Sequence, residues 1–284
     1  MKECVIEMKN VVQKFADREV LSGVDLQIHQ GEIFGLLGPS GAGKTTIIKI
    51  LTGQIRSYEG NSIILGNDTR NLNGAVYKRI GMMMDNSGLY ERLSCYDNLS
   101  LFARIHDIPR TKILWALKQV GLEDAQKSPV SKLSKGMRGR LALARAVMNE
   151  PEILFLDEPT SGLDPSTSAY IHKLIQNEKE RGVTIFLTTH HMEEADKLCD
   201  HIALLNEGKV VEYGEPEAIC RKYNHQNKLL IRLKGGNQIT LLNDSSSADQ
   251  MKEYLENEII ETIHSTEPSL ETVFMELTGR SFEA

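Results

Sequence analysis

Apolar and polar residues alternate along the first 30 positions of the chain. The alternation is clearest over residues 5–9 and 24–28. A period of two is typical of strands with one buried face, so this region is predicted to be an antiparallel β subdomain. Another strand is predicted at 62–65, between turn signals that contain Gly60 and Gly66.

The middle of the chain alternates between continuous apolar runs and helical patterns. Buried strands separated by helices indicate a mostly parallel sheet that is covered on both faces. Residues 86–150 have mainly helical periodicity and predict a helical subdomain. The other predicted elements are strands at 32–37, 152–156 and 183–187, helices at 44–51 and 165–181, and a hairpin at 201–211.

One helical stripe, formed by Ile113, Leu114, Leu117 and Val120, is predicted to be buried. Trp115, the only tryptophan, falls off that stripe. Two interpretations stay open for it: packing between helices, or contact with a partner at the surface.

A polar stretch at 213–228 separates a second pattern from the first. Two strands, at 228–233 and 239–242, are followed by a helix near 247–257, a short strand and a final helix from Ser269. The sequence therefore predicts a first domain at 1–218 and a small α+β domain at 219–284. The apolar positions that the last helix places on one face are Leu270, Val273, Phe274 and Leu277.

Composition narrows the class of protein. The chain of 284 residues is 40% hydrophobic and 25% charged, with a net charge of −6, as in soluble globular proteins. The acidic balance argues against a nucleic-acid platform. No apolar run approaches the roughly 18 residues that a membrane span needs, and the N-terminus does not resemble a signal peptide. The four cysteines show neither disulfide nor zinc spacing. Any membrane role must then involve a partner.

Residues 38–45 match G-x-x-x-x-G-K-[ST], the P-loop that wraps backbone N–H groups around nucleotide phosphates. A predicted strand precedes it and a predicted helix follows, which favours phosphate binding over a glycine-rich turn with a surface lysine. Lys44 would reach the phosphates, and Thr45 could bind Mg²⁺. The predicted nucleotide contacts are Gly38, Pro39, Ser40, Gly41, Ala42, Gly43, Lys44, Thr45 and Thr46.

Asp157 and Glu158 end another apolar strand. Asp157 is placed to hold Mg²⁺, and Glu158 could orient an attacking water molecule. An acidic pair at this position is also common in ordinary helix caps, so the pair alone does not decide.

Further segments, in order, are 133–137 (Leu-Ser-Lys-Gly-Met), 161–164 (Ser-Gly-Leu-Asp) and His190 at the end of a strand. Over residues 4–215 the set resembles the ATP-binding subunit of ABC transporters. The resemblance implies a P-loop NTPase core with a mostly parallel sheet, an antiparallel β subdomain and a helical subdomain. It makes 133–137 the signature motif, with Ser134 and Gly136, and Asp164 the D-loop aspartate.

The same resemblance implies that His190 is the switch histidine and that Phe15 stacks on adenine, although a lone Phe can also be a loop filler. In the family the site is split, because the signature motif of one molecule binds the γ-phosphate held by the other molecule's P-loop. ATP and Mg²⁺ are therefore expected in a homodimer or pseudo-homodimer. Glu158, His190 and Lys44 are the expected catalytic residues.

Two details resemble drug-export ATPases of the daunorubicin and bacitracin-resistance types: Met137 in the signature, and the segment 268–279. The latter can also be simply an amphipathic helix. Asp85 stands where most relatives have the Q-loop Gln, so it is expected near Mg²⁺ and the permease contact and favours a peptide-antibiotic substrate. Alternatively, Asp85 caps the loop that follows.

The leading interpretation is an ATPase subunit on the cytoplasmic face of the membrane that drives a separate integral-membrane permease, with no nucleic-acid partner. Soluble ABC ATPases that act on DNA, ribosomes or cluster assembly share these motifs. They usually carry coiled-coil or zinc insertions or a second ATPase domain, and the sequence contains none of these. A purely regulatory sensor would tolerate the loss of Glu158 or His190, and both are present.

Overall fold

The computed structural model of the chain describes residues 3–16, 18–84, 88–224 and 227–279. It divides into two compact units, Met1–Tyr213 and Gly214–Ala284. The domain boundary after residue 218, which the sequence predicts, lies five residues beyond this division and stays a prediction. In the described ranges, no helix combines the length and apolar character that spanning a membrane requires.

The strands are β1 (Cys4–Phe15), β2 (Arg18–His29), β3 (Ile33–Leu37), β4 (Glu59–Ile64), β5 (Asn67–Asp68), β6 (Ile80–Met83), β7 (Ile153–Asp157), β8 (Thr184–Thr189), β9 (His201–Asn206), β10 (Lys209–Gly214), β11 (Lys228–Leu233), β12 (Gln238–Leu242) and β13 (Ile260–Ser265). The helices are α1 (Lys44–Leu51), α2 (Gly74–Tyr77), α3 (Cys95–Ile105), α4 (Arg110–Gln119), α5 (Lys135–Val147), α6 (Pro165–Glu180), α7 (Met192–Leu198), α8 (Pro216–Lys222), α9 (Ala248–Glu256) and α10 (Leu270–Thr278).

A six-stranded sheet in the order β10-β9-β3-β8-β7-β6 forms the centre of the first unit. The five strands from β9 to β6 in this order pair in parallel with one another. Every residue of β3, β7 and β8 is buried, as their continuous apolar runs predict. Phe34 and Phe155 each lie 5.4 Å, centroid to centroid, from Phe186 between them, so an aromatic row ties the three strands together. The predicted P-loop NTPase fold is thus confirmed.

The antiparallel subdomain is a second sheet, in the order β2-β1-β4-β5. Its alternating strands bury one face: Ile6, Met8, Leu26 and Ile28 are each at most 2% exposed. This is the pattern that the period of two predicts.

The helical subdomain contains α3, α4 and α5, and one predicted core position in it is wrong. Ile113, Leu117 and Val120 are buried, whereas Leu114 is 52% exposed. Leu114 is one residue, or about 100°, round the helix from Ile113, so it turns away from the neighbouring helices. The Trp115 ring makes cation–π contacts with two side chains: Nζ of Lys112 lies 5.2 Å and Cζ of Arg181 4.9 Å from the ring centroid.

The second unit contains the three-stranded sheet β12-β11-β13 and the helices α8, α9 and α10. Leu270, Val273 and Phe274 are buried, as the apolar face of the last helix predicts. The polar stretch from 213 holds an unpredicted helix, α8, which has Pro216 in its first turn and buries Ile219. The predicted small α+β region is therefore confirmed as a fold class.

Candidate active site

Three strands of the central sheet end at one edge, and each leads into a predicted site residue. The P-loop follows β3, which pairs with β8. Asp157, the last residue of β7, lies beside Thr188 of β8, and His190 follows that strand. Parallel strands bring their carboxyl ends together, and ligands of open α/β sheets bind at this edge.

The P-loop is a cradle that only glycine permits at two positions. A Cβ on Gly38 would run into the carbonyl oxygen of Leu205. Gly43 has φ 114°, and a Cβ there would lie 2.7 Å from Cδ2 of Leu21. The backbone N–H groups before α1 are therefore left uncovered by side chains, as phosphate binding requires.

Lys44 is 6% exposed and belongs to the cradle. Its Nζ donates to the carbonyl oxygens of Gly38 (2.5 Å) and Pro39 (3.2 Å) and lies 3.5 Å from a carboxylate oxygen of Glu158. Burial lowers the pKa of Lys44, and the carboxylates of Glu158 and Asp157 counteract this. A cation held in so little water interacts strongly with phosphate charge.

Thr45 and Asp157 supply the oxygen atoms expected of a Mg²⁺ site. The Thr45 hydroxyl donates to Asp157 over 3.4 Å, and the Thr188 hydroxyl donates to the other carboxylate oxygen. Burial raises the pKa of Asp157, which the Thr188 hydrogen bond partly offsets. Hydroxyl and carboxylate oxygens are the donors that Mg²⁺ prefers, so these residues fit the metal.

Glu158 lies at the meeting point of the three strand ends. Its N–H donates to the Thr188 carbonyl oxygen (3.0 Å), and its backbone has φ 49°, which is unusual for a residue with a side chain. One carboxylate oxygen lies 3.5 Å from Lys44 Nζ and the other 3.1 Å from His190 Nδ1. The structure therefore brings the three predicted catalytic side chains into one cluster.

A cavity of about 330 Å³ opens above this cluster. Its lining residues are Arg18, Val20, Pro39, Ser40, Gly41, Gly43, Lys44, Thr45, Thr46 and Glu158. Sequence reasoning missed Arg18 and Val20, because nothing in a single strand pattern tells that the start of β2 reaches the P-loop. Phe15, at the end of β1, is 48% exposed and is not among the lining residues that the structure describes.

The signature motif and Asp164 form a separate surface of the same molecule. Ser134 caps α5, where its hydroxyl accepts from the Met137 N–H over 3.2 Å. Gly136 packs so closely against α6 that a Cβ would lie 2.5 Å from Cγ2 of Thr167. None of these residues lines the described P-loop cavity.

Asp164 caps α6 and is held by the first turn of that helix. Its carboxylate accepts from the Ser166 hydroxyl (2.6 Å) and from the hydroxyl (2.6 Å) and N–H (3.0 Å) of Thr167. The bonds from Ser166 and Thr167 lower the pKa of Asp164 well below its ordinary value. Asp85, the remaining predicted metal ligand, lies outside the described residues.

Comparison with known proteins decides the family. Residues 21–161 match the sequence profile of the ABC transporter family. The chain is 38% identical over 282 residues to a fluoroquinolones export ATP-binding protein of Mycobacterium tuberculosis, covering 97% of this chain and 94% of the relative. The chain belongs to the ABC transporter family. It is an ATP-binding subunit of that family and hydrolyses ATP.

Other members of the family match with lower sequence identity. A lantibiotic transport ATP-binding protein of Streptococcus pyogenes is 35% identical over 225 residues, covering 78% of this chain and 97% of the relative. The dimeric structure of an ATP-binding cassette bound to ADP and Pi matches with a TM-score of 0.66 and 28% identity, over 74% of this chain and 98% of that one. The predicted resemblance to the drug and antibiotic-export branch of ABC transporters is confirmed.

Proposed function

We propose that this ABC transporter subunit drives export by an integral-membrane permease, with two P-loop cavities closed by the signature surfaces of a dimer. The observation that carries the proposal is the cluster of Lys44, Glu158 and His190 at one sheet edge. Lys44 and Glu158 line the P-loop cavity, and the His190 imidazole contacts Glu158. A cation, a carboxylate and an imidazole in contact are the groups that phosphoryl transfer to water needs.

In the proposed reaction, the P-loop N–H groups and Lys44 hold the phosphates of ATP. Glu158 orients the attacking water and accepts its proton in the transition state. His190, in contact with Glu158, keeps that carboxylate in place and senses the γ-phosphate. The left-handed backbone of Glu158 aims its side chain back toward Lys44.

Thr45 and Asp157 would hold Mg²⁺, and we propose Asp85 as a further ligand. Bound Mg²⁺ supplies charge neutralisation at the phosphate oxygens. The buried Asp157 carboxylate and the Thr45 hydroxyl lie close together, 3.4 Å apart, in a position to receive it.

The separation of the two surfaces within one molecule supports the proposed dimer. Among the described residues that line the P-loop cavity, none belongs to the signature motif, while Ser134, Gly136 and Asp164 lie together at the starts of α5 and α6. Helix N-termini attract anions, so this surface suits the γ-phosphate held by another subunit. We expect a homodimer or a pseudo-homodimer, with Phe15 stacking on adenine when the nucleotide is bound.

The relatives' names suggest the cargo. One relative is named for the export of fluoroquinolones and another for the transport of a lantibiotic. We propose that this chain, bound peripherally at the cytoplasmic face of the membrane, powers the export of a drug or peptide antibiotic. Identifying the membrane protein that co-purifies with the full chain from gently solubilised membranes tests the partner.

An ATPase assay tests the reaction. The rate per molecule should rise with protein concentration and require Mg²⁺, because two molecules complete each site. Lys44→Ala should lose nucleotide binding, since the phosphates lose their buried cation. A rate per molecule that stays constant on dilution to concentrations at which gel filtration shows only monomer would contradict the shared site.

A further inference from the structure

A buried carboxylate outside the nucleotide cluster has no role in the chemistry described so far. Glu194 lies on α7, four positions after His190, and its side chain is 4% exposed. A carboxylate is costly to bury unless hydrogen bonds and a cation compensate it. Its partners therefore indicate what the protein gains from it.

The partners of Glu194 come from two other segments of the first unit. Oε1 accepts from the hydroxyl of Thr160, at 2.7 Å, and lies 2.9 Å from Nε2 of His172. Thr160 is itself 6% exposed and belongs to the turn between Glu158 and Asp164, and His172 belongs to α6. One oxygen atom thus joins the turn, α6 and α7.

The turn that Thr160 anchors is the one that shapes Glu158. The Glu158 carbonyl oxygen accepts from the Ser161 N–H, and the Thr160 carbonyl oxygen accepts from the Leu163 N–H. Glu158 has a left-handed backbone, which costs free energy and persists only when surrounding contacts impose it. The Thr160 side chain is a buried attachment of this turn to the rest of the fold, beside the Glu158 N–H bond to Thr188 at the start of the turn.

A second link runs toward the switch histidine. Thr189, the residue before His190, accepts from the His191 N–H through its hydroxyl, at 3.0 Å. Burial opposes the charge of Glu194, but the hydrogen bonds from His172 and Thr160 contribute to lowering its pKa. The Glu194 N–H donates to the His191 carbonyl oxygen, at 3.1 Å. Glu194 is therefore connected both to the segment after Glu158 and to the segment that carries His190.

We propose that Glu194 is a positioning residue of ATP hydrolysis, which holds the Glu158 turn through Thr160 and α6 through His172. The inference rests on the proposed role of Glu158. We call the contacts of Glu194 with Thr160 and His172 the Glu194 clamp. When the clamp is broken, Glu158 is free to leave the left-handed conformation, so its carboxylate is less often aimed at Lys44 and the attacking water. The P-loop does not depend on the clamp, so ATP binding is kept.

The test is a steady-state ATPase assay on the full chain, with ATP affinity and melting temperature measured in parallel. Thr160→Val keeps the shape but removes the hydroxyl, and we expect kcat to fall about tenfold, equivalent to roughly 1.4 kcal/mol of barrier, while KM changes less than about twofold. Thr160→Ser keeps the hydroxyl and should restore most of the rate. Glu194→Ala removes the other side of the contact and should reproduce the same pattern.

Glu193→Gln is the matched control, because Glu193 is the adjacent carboxylate on the same helix and is 91% exposed. It should leave the rate unchanged. In a Glu158→Gln background, Thr160→Val should cause no further loss, because a positioning residue acts only through the group it positions.

Two results overturn the inference. The first is a wild-type kcat in Thr160→Val and Glu194→Ala. The second is a further fall in kcat when Thr160→Val is added to Glu158→Gln, together with an equal loss of ATP affinity. Either result, with Glu158→Gln inactive, leaves the proposed function standing and removes the positioning role alone. Wild-type hydrolysis by Glu158→Gln would instead overturn the role of Glu158 in the proposed function, and the inference with it.

Discussion

Glu158→Gln should raise the affinity for ATP and lower the rate of ATP hydrolysis. The substitution keeps the size of the side chain and removes one negative charge, which lies 3.5 Å from Lys44 and 3.1 Å from His190. Without that charge, no carboxylate accepts the proton of the attacking water. At the same time Lys44 no longer pairs with the Glu158 carboxylate, and the phosphates of ATP are no longer repelled by that charge.

The structure sets the size of both effects. Two unit charges 3.5 Å apart interact by about 5 kcal/mol at an effective dielectric constant of about 20. The Glu158 side chain is 25% exposed, so solvent screening reduces the net effect to roughly 1 kcal/mol. ATP affinity should therefore rise about fivefold. Loss of a general base lowers the rate by about a hundredfold or more.

Titration calorimetry and a steady-state ATPase assay measure the two quantities, and light scattering detects the ATP-bound dimer that should accumulate. Glu193→Gln is the control, because it also removes one negative charge but from an exposed side chain. It should match the wild type in each measurement. Hydrolysis by Glu158→Gln at the wild-type rate would refute the assignment of the water-orienting residue. Weaker ATP binding would refute the electrostatic reasoning.

Three further predictions concern other parts of the chain. A shortened chain that ends at Tyr213 should still bind ATP, because the first unit contains the whole P-loop cavity; a folded product without affinity in the same calorimetric titration would contradict this. Asp85→Ala should lower resistance in cells that carry the permease more than it lowers ATPase activity, whereas equal losses in both assays argue against a coupling role. Glu194 has a pKa below its ordinary value near 4.5, so its charge stabilises the fold above that pH and the contribution is lost as pH falls through the lowered pKa. Thermal melts should accordingly show Glu194→Gln less stable than wild type at pH 7, with a difference that shrinks as the pH falls below the ordinary pKa of a glutamate; a difference that grows on acidification would contradict this sign.

Much of the architecture follows from local pattern. The helix predicted at 44–51 is α1 (Lys44–Leu51), because a glycine-rich turn ends at a continuous helical run. The strand ahead of the P-loop and the strand that ends in Asp157 were predictable because each is a short apolar run with polar or glycine residues after it. Parallel pairing of such strands then predicts that Lys44, Glu158 and His190 meet at one edge.

Local pattern failed where the outcome depends on which side of an element its neighbours occupy. Leu114 has the same apolar character as Ile113, yet it is 52% exposed because the helices that pack against α4 lie on the other side. The polar composition of 213–228 hides α8, whose burial of Ile219 depends on packing within the second unit.

The chemistry of the P-loop, the carboxylate pair and the histidine is carried by residue type and order, so the amino-acid sequence is sufficient to predict ATP hydrolysis. The neighbours of those groups cannot be predicted in this way, because they come from distant segments. Arg18 and Val20 reach the cavity from β2, and Glu194 contacts Thr160, 34 positions earlier in the chain. No periodicity links such positions. Their contacts exist only once the strands have paired and the helices have packed, and burial then makes each unsatisfied polar group costly enough to fix its partner.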